Sequence, residues 1–337
     1  MQIAGRSIGL ERRPYIVAEV SCNHGGRLDL ALGLIEHAAA AGADAVKFQA
    51  YEAGTITIES DRPEHRISSG LWKGQNLYRL YRNTQTPFHW FPEIARHAEE
   101  VGITWFASVF DRSSVDMLMR LDVPAFKIAS FELIDLPLIR YAAQTGKPMI
   151  LSTGMASTDE IAEAYAYAGN DAALLHCVSG YPTPAKEANL GGMIDLGATF
   201  TRVGISDHTA GIEIPIAAAT LGACIIEKHF KPQWFKGPDS KFSLAPKNFR
   251  EMVDGVHTVW DAMQATVPVS EEPMRAFRRS LWVTADVAAG EQLTEANVRS
   301  IRPGGGLLPK ELDRVLGKAA ACDIARGTPL TWELVVV

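Results

Sequence analysis

His208, in Ser206-Asp207-His208-Thr209, and His229, in Glu227-Lys228-His229-Phe230, each sit near the carboxyl end of a short apolar run. Imidazole suits Zn, Mn, Co or Fe, and a site with two protein ligands keeps positions open for water and substrate. One histidine at a strand end is most simply a hydrogen-bonded structural group; two on consecutive strand ends point to a metal centre. Lys47 and Lys127 lie inside other apolar runs, where a buried lysine is costly unless it serves an anion. Ser108, Ser130, Ser152, Ser179 and Ser206 end five successive runs, and each hydroxyl can donate to a phosphate oxygen. Lysines and serines together read as an anion cradle facing the histidines. Glu19, ending the first run, and Glu132, just past Ser130, are candidates for a general base or for orienting a substrate hydroxyl or metal-bound water. Asp239, in Gly237-Pro238-Asp239-Ser240, is a third. Lys228 alternates against His229, so it faces the other way and is expected to pair with a carboxylate such as Asp207.

These residues need strands to carry them. Strand-like runs fall at 15–21, 44–51, 103–110, 125–130, 148–154, 173–180, 202–209 and 224–230. Helical patterns over 29–41, 88–101, 113–121, 136–145, 158–168, 186–197, 211–221 and 247–264 alternate with them. Asp29, Ser113 and Thr158 are plausible helix starts, Pro137 fits a first turn, and Gly42, Gly102, Gly146 and Gly222 mark stops. Eight such pairs over ~260 residues describe a (β/α)8 barrel, in which the seventh and eighth strands place His208 beside His229. A doubly wound open sheet is the competing fold, but Asn23-His24-Gly25-Gly26 is not its glycine fingerprint.

The connection 52–87 is far longer than an ordinary βα loop and includes Gly70-Leu71-Trp72-Lys73-Gly74. It reads as a lid or specificity element, or else as a structural excursion with its own short helix. Residues 1–264 are assigned to the barrel, 265–279 to a linker, and 280–337 to a small β-rich domain. In that domain Ser280–Thr284, Leu293, Val298–Ile301 and Leu330–Val336 are the β-like pieces, with turns at Gly290 and Gly327. So small a domain is expected to pack on the barrel or on another subunit.

The chain has 337 residues, net charge −6 and 47% hydrophobic residues. Nothing in that balance suggests a nucleic-acid or membrane partner, although a local lysine cluster leaves room for a small anionic substrate. The four cysteines show no CxxC spacing and are expected as buried free thiols. With no export signal and no membrane span in the sequence, a cytoplasmic protein is expected.

Six stretches resemble the sialic acid synthase family: AEVSCNHGG (18–26), GADAVKFQAY (42–51), FDRSSVDMLMRLDVPAFKIAS (110–130), GKPMILSTGMAS (146–157), SDHTAGIEIPIAAATLGACIIEKHF (206–230) and GPDS (237–240). The tail, through Arg302-Pro303-Gly304-Gly305-Gly306, resembles that family's antifreeze-like domain. The resemblance implies a TIM barrel followed by an antifreeze-like (SAF, β-clip) domain. It implies condensation of phosphoenolpyruvate with an N-acetylated amino sugar, giving a nine-carbon 2-keto-3-deoxy sugar acid and phosphate. A divalent ion, usually Mn2+ or Mg2+ and otherwise Co2+, is implied at His208 and His229. Implied phosphoenolpyruvate contacts are Lys47, Ser108, Lys127, Ser130, Ser152, Ser179 and Ser206; implied sugar contacts are Glu132, Tyr181 and Asp239. Glu19 is the leading group to orient the water that adds at C2. Arg302 is implied to reach across a domain-swapped homodimer. Val109 departs from the pattern, standing where the family often has proline.

LWKGQNLYRLY (71–81), Thr86-Pro87-Phe88-His89-Trp90 and GPDSKFSL (237–244) resemble the branch of pseudaminic acid synthases. The sugar expected on that branch is 2,4-diacetamido-2,4,6-trideoxy-L-altrose, with N-acetylmannosamine and the legionaminic precursor as alternatives. A Schiff-base aldolase barrel and a non-catalytic sugar-binding barrel are the remaining readings.

Overall fold

The computed structural model describes residues 1–264 and 270–336. The chain divides into two compact units, Met1–Gln264 and Ala265–Val337. Positions 265–269 of the expected linker lie outside the described residues, and Glu272–Arg275 forms a short helix.

Eight parallel strands build the first unit: β1 (Tyr15–Glu19), β2 (Ala45–Ala50), β3 (Thr104–Val109), β4 (Phe126–Ile128), β5 (Met149–Ser152), β6 (Ala173–Cys177), β7 (Val203–Asp207) and β8 (Ile225–His229). Each pairs with its neighbours in sequence, and β8 returns to β1 to close a barrel. The (β/α)8 expectation holds. Between and after the strands run α1 (Leu28–Ala40), α2 (Phe91–Val101), α3 (Arg112–Arg120), α4 (Leu136–Ala143), α5 (Thr158–Ala168), α6 (Leu190–Thr199), α7 (Glu213–Thr220) and α8 (Pro246–Gln264). The strands are buried on both faces, which is why they read as nearly continuous apolar runs. Val17, Phe48, Phe106 and Ile226 belong to one contiguous core with the inward faces of the helices, such as Leu34 and Ile35 of α1.

Local chemistry sets the ends of these elements. Gly102, at φ 78°, closes α2 with its N–H donating to the Ala98 carbonyl, a left-handed position that suits glycine. Two expected helix starts shift by one residue. α3 is capped by Asp111, whose carboxylate accepts from the Ser114 N–H, so Ser113 falls inside the helix. α5 begins at Thr158 as expected, capped by Ser157 in a reciprocal box with Glu160. Asp29 lies in the first turn of α1 after Arg27. The helix expected at 186–197 starts later, after Asn189 accepts from the Gly192 N–H. A tight hairpin of Gln2–Ile3 with Arg6–Ser7 precedes the barrel.

Segment 52–87 is a built excursion. It holds the short helices Ala53–Ile56 and Leu77–Thr84 and a 3-10 turn, Pro63–His65. The Asn76 side chain donates to the Ser60 carbonyl (2.7 Å) and accepts from the Arg79 N–H (3.2 Å), capping the second helix.

In the second unit β9 (Ser280–Val283) pairs antiparallel with β10 (Val298–Ile301). Leu281, Val283, Leu293, Val298, Ile324 and Leu330 lie in its own core. The expected strand at Leu330–Val336 is instead a 3-10 turn, Trp332–Leu334, joined to the rest by isolated bridges such as Ala320 with Val335. Cys22, Cys177 and Cys224 are buried free thiols, whereas Cys322 is exposed, because it sits in a turn of this smaller unit. No helix among the described residues is long and apolar enough to cross a membrane.

Lys228 turns away from His229 and pairs with Asp207 across β7 and β8, as alternation requires. Both are buried, and Asp207 also accepts from the Thr209 N–H (3.0 Å) and hydroxyl (2.8 Å). Removing one partner of a buried pair leaves an uncompensated charge, at a cost of about 3–5 kcal/mol. Lys228→Met is therefore expected to lower barrel stability by about that amount, read as the shift in its denaturation midpoint. An unchanged midpoint would show that the pair does not brace this strand end.

Candidate active site

One chamber of about 620 Å3 opens among the βα loops, at the carboxyl ends of the strands. Glu19, Lys47, Ser108, Lys127, Ser130, Glu132, Ser152, Ser179, Tyr181, Ser206, His208, His229 and Asp239 all line it. Every barrel residue singled out from the sequence is thus brought together. Arg302 is in the second unit, exposed, immediately before a cis Pro303.

The floor is a buried charge cluster. Register places Glu19 opposite Lys47 and Lys127 opposite Ser108. Lys47 Nζ lies 2.6 Å from Glu19 Oε2 and 3.6 Å from Glu227 Oε1, and donates to Ser108 Oγ at 3.0 Å. Lys127 Nζ lies 3.9 Å from Glu227 Oε2 and donates to Ser152 Oγ at 2.6 Å. Ser206 Oγ donates to Glu227 Oε1 at 3.1 Å. Burial pushes the Lys47 ammonium down, but Glu19 and Glu227 outweigh it and hold Lys47 above its ordinary value. Burial pushes Glu227 up, but Lys127 and Lys47 outweigh it and hold that carboxyl below its ordinary value. Lys127, farther from its carboxylate, is left below its ordinary value by burial. Burial outweighs Lys47 and raises Glu19 as well, so the floor sets two lysines against two glutamates with the Lys47–Glu227 charges the most firmly held. In period-two alternation Glu227 shares the face of His229. That shared face was the available signal for its role.

The serines divide. Ser108 and Ser152 accept from the lysines, and Ser130 Oγ accepts from the Gly154 N–H at 3.1 Å. Ser179 Oγ is buried without a hydrogen-bond partner among the described residues. Gly154, missed in the sequence, lets these two serines converge: a Cβ there would sit 2.4 Å from Ser179 Oγ and 2.8 Å from Ser130 Oγ.

The two histidine rings stand 5.3 Å apart between centroids. His208 Nδ1 lies 3.0 Å from the Val178 carbonyl. A carbonyl only accepts, so Nδ1 carries the proton and Nε2 keeps its lone pair. His229 Nδ1 is buried with no partner among the described residues, with Asp239 Oδ2 3.7 Å away. Burial holds His229 well below its ordinary value, so it is neutral and able to donate a lone pair. On His208 burial acts downward, but Cys177 and the Val178 carbonyl outweigh it, so a cation there competes with a proton. Two facing imidazoles with nitrogens to spare fit a borderline divalent cation. Among the described residues no third His, Cys, Asp or Glu joins them in a cluster able to hold a metal, which leaves the other positions to water and substrate. Phe242, also missed, packs edge-on against both rings, at 5.9 Å from His208 and 4.8 Å from His229.

The remaining acids differ in state and position. Glu132 ends the 3-10 turn Ser130–Glu132, and its Oε2 is buried without a partner among the described residues. Burial pushes it up to about 7. Burial also raises Asp239. Gln49, two residues beyond Lys47 on the same face, donates to Glu19 Oε1 at 2.9 Å and so orients it. The Tyr181 ring lies 4.4 Å from that of His208 and 5.5 Å from that of Trp72. Segment 52–87 supplies much of the remaining wall.

Known proteins share this arrangement of sequence and fold. Residues 34–267 match the NeuB family and residues 278–336 the SAF domain. The chain is 40% identical to the pseudaminic acid synthase of Campylobacter jejuni, over 98% of each protein. It is 33% identical to the N,N'-diacetyllegionaminic acid synthase of Legionella pneumophila, over 95% of this chain and 94% of that one. The crystal structure of N-acetylneuraminic acid (sialic acid) synthetase from Leptospira borgpetersenii in complex with citrate superposes with a TM-score of 0.72 at 32% identity. That match covers 81% of this chain and 94% of the other. With a barrel and a smaller unit that both match, the chain belongs to the NeuB family and carries a SAF domain.

Proposed function

We propose that this protein condenses phosphoenolpyruvate with an open-chain N-acetylated amino sugar, giving a nine-carbon 2-keto-3-deoxy sugar acid and phosphate. The sugar is 2,4-diacetamido-2,4,6-trideoxy-L-altrose, which makes the activity that of a pseudaminic acid synthase. The observation that carries this reading is one chamber joining a lysine- and serine-lined floor to two facing histidines, in a chain 40% identical to a pseudaminic acid synthase over 98% of its length.

In this reading Lys47 and Lys127 hold the phosphate and carboxylate oxygens, with Ser108, Ser130, Ser152, Ser179 and Ser206 as further donors. Glu132, Tyr181 and Asp239 position the sugar. A divalent cation (Mn2+, Mg2+ or Co2+) held by His208 and His229 would polarise the aldehyde oxygen and offset its developing charge. C3 of phosphoenolpyruvate forms the new bond to the aldehyde carbon, whose oxygen takes a proton from Glu132. Water, oriented by Glu19, adds at the cationic C2; one of its protons restores Glu132, and the other leaves with phosphate as the C2–O bond to phosphate breaks and the ketone forms. Exposed Phe131, Ile134 and Met155, on loops after β4 and β5, support a second copy of the chain seated on the barrel mouth. Arg302 of that copy would complete the site in a domain-swapped homodimer. A substrate of central metabolism places the reaction in the cytoplasm.

Phosphate release from phosphoenolpyruvate, followed with each of the three candidate sugars, tests the reaction. Release is expected only when both sugar and divalent cation are present, with a product mass equal to sugar plus pyruvate. His208→Ala is expected to lower the rate more than about 100-fold, beyond the loss from removing a ligand's hydrogen-bond partner, while the fold persists. Borohydride added with both substrates should leave Lys127 unmodified. A covalent adduct there, or full activity in His208→Ala, would contradict the reading.

Glu132 gives a pH signature. Burial favours its protonated form, so activity that uses this proton falls as pH rises through about 7. Glu132→Gln should remove that inflection and lower kcat/KM by roughly 100-fold or more. Stability follows the same sign: the contribution present below the ordinary value of 4.5 is lost as pH rises through about 7. The melting temperature of Glu132→Gln should therefore decline less across that window. A pH profile that survives the substitution would assign the inflection to another group.

A further inference from the structure

The chamber has two unlike halves. Its floor is ionic, whereas segment 52–87 contributes Ile67, Leu71, Trp72, Leu77, Leu80 and Tyr81 to its wall. We propose that this wall selects the sugar, with Trp72 and Leu80 as specificity-determining residues. The inference rests on the condensation proposed for the same chamber.

The wall is held in a defined place. The Ile67 N–H donates to the Gln75 carbonyl (2.9 Å) and the Gly74 N–H to the Ile67 carbonyl (2.8 Å), closing the loop that presents Trp72. At its base Tyr51 and Thr84 share a hydrogen bond of 2.9 Å, and the Ala53 N–H donates to Gln85 Oε1 at 3.0 Å. Trp72 reaches the histidines through one intervening ring, Tyr181. A sugar whose aldehyde lies at His208 and His229 therefore turns its distal carbons toward this wall.

The polar side chains of this wall are the Ser69, Tyr81 and Thr84 hydroxyls and the Trp72 indole, beside the apolar Ile67, Leu71, Leu77 and Leu80. The Thr84 hydroxyl is already engaged with Tyr51 and the Leu80 carbonyl. The Trp72 Nε1–H is buried with no partner among the described residues; it only donates, and either an acetamido carbonyl or a hydroxyl oxygen can accept from it. An acetamido group supplies one carbonyl acceptor and a methyl, and a deoxy C6 supplies another methyl. N-acetylmannosamine brings hydroxyls at C4 and C6 in their place. Each hydroxyl buried without a partner weakens binding by roughly 5- to 150-fold. The wall therefore selects the diacetamido trideoxy sugar by seating methyls against Leu71, Leu77 and Leu80, side chains that offer a hydroxyl no partner.

Calorimetric binding of both sugars to the full chain with Mn2+, beside kcat/KM for each, tests this. Wild type is expected to bind the trideoxy sugar at least about 25-fold more tightly than N-acetylmannosamine. Trp72→Ala should narrow that ratio about tenfold, through KM more than kcat, by weakening the trideoxy sugar. Leu80→Asn places an amide on the wall and should strengthen binding of N-acetylmannosamine, a gain that a misfolded variant does not show. A ratio unmoved in both variants, or equal losses for both sugars, overturns the selector. Phosphate release that continues beside an unmoved ratio defeats the selector alone. Selective binding with no phosphate release in wild type defeats the condensation and leaves the selector standing.

Discussion

Lys47 stands between Glu19 and Glu227 at the base of the chamber, and the rest of the site depends on that balance. Four ionisable groups from β1, β2, β4 and β8 sit where each alone would carry a desolvation penalty of several kcal/mol. Together they offset much of it, most completely at Lys47 and Glu227. Barrel closure makes the arrangement attainable, because β8 lies beside β1 and brings Glu227 within reach of a lysine far away in sequence. The balance also fixes what the floor can do. Lys47 is held protonated, and in the proposed reaction a multiply charged anion would arrive at a surface whose charges are already paired. Added positive charge must come with it.

The histidines are placed to meet that demand, and Glu132 and the unlike halves of the chamber set the surroundings. His208 and His229 sit at strand ends one step around the barrel, with nitrogens free for a cation. Glu132 is kept near neutrality by burial, so it does not add a fixed negative charge below about pH 7. The wall from segment 52–87 is apolar beside an ionic floor. In the proposed reaction that contrast would orient a substrate with one reactive polar end and one methyl-bearing end.

Much of this was legible in the sequence, for a physical reason. Barrel strands are buried on both faces, so lysine and histidine stand out within them, and period-two alternation tells which share a face. His208, His229, Lys47, Lys127 and the Lys228–Asp207 pair were readable in that way. Glu227 shares the alternation with His229, but its link to two lysines depends on cross-strand register. Phe242, Gly154 and Trp72 come from loops, whose course follows tertiary contacts rather than periodicity. Helix starts moved by a residue where several capping residues adjoin, as with Asp111 and Ser113.

In the proposed reaction, charge balance at the floor would make binding of phosphoenolpyruvate and of a divalent cation mutually dependent. Calorimetric titration of phosphoenolpyruvate into metal-free protein, then into protein saturated with Mn2+, measures that coupling directly. The predicted result is affinity at least about tenfold higher with Mn2+, with the gain lost in His229→Ala. Equal affinity in the two titrations would contradict it, and would mean that the lysines bind the anion without help from the histidines.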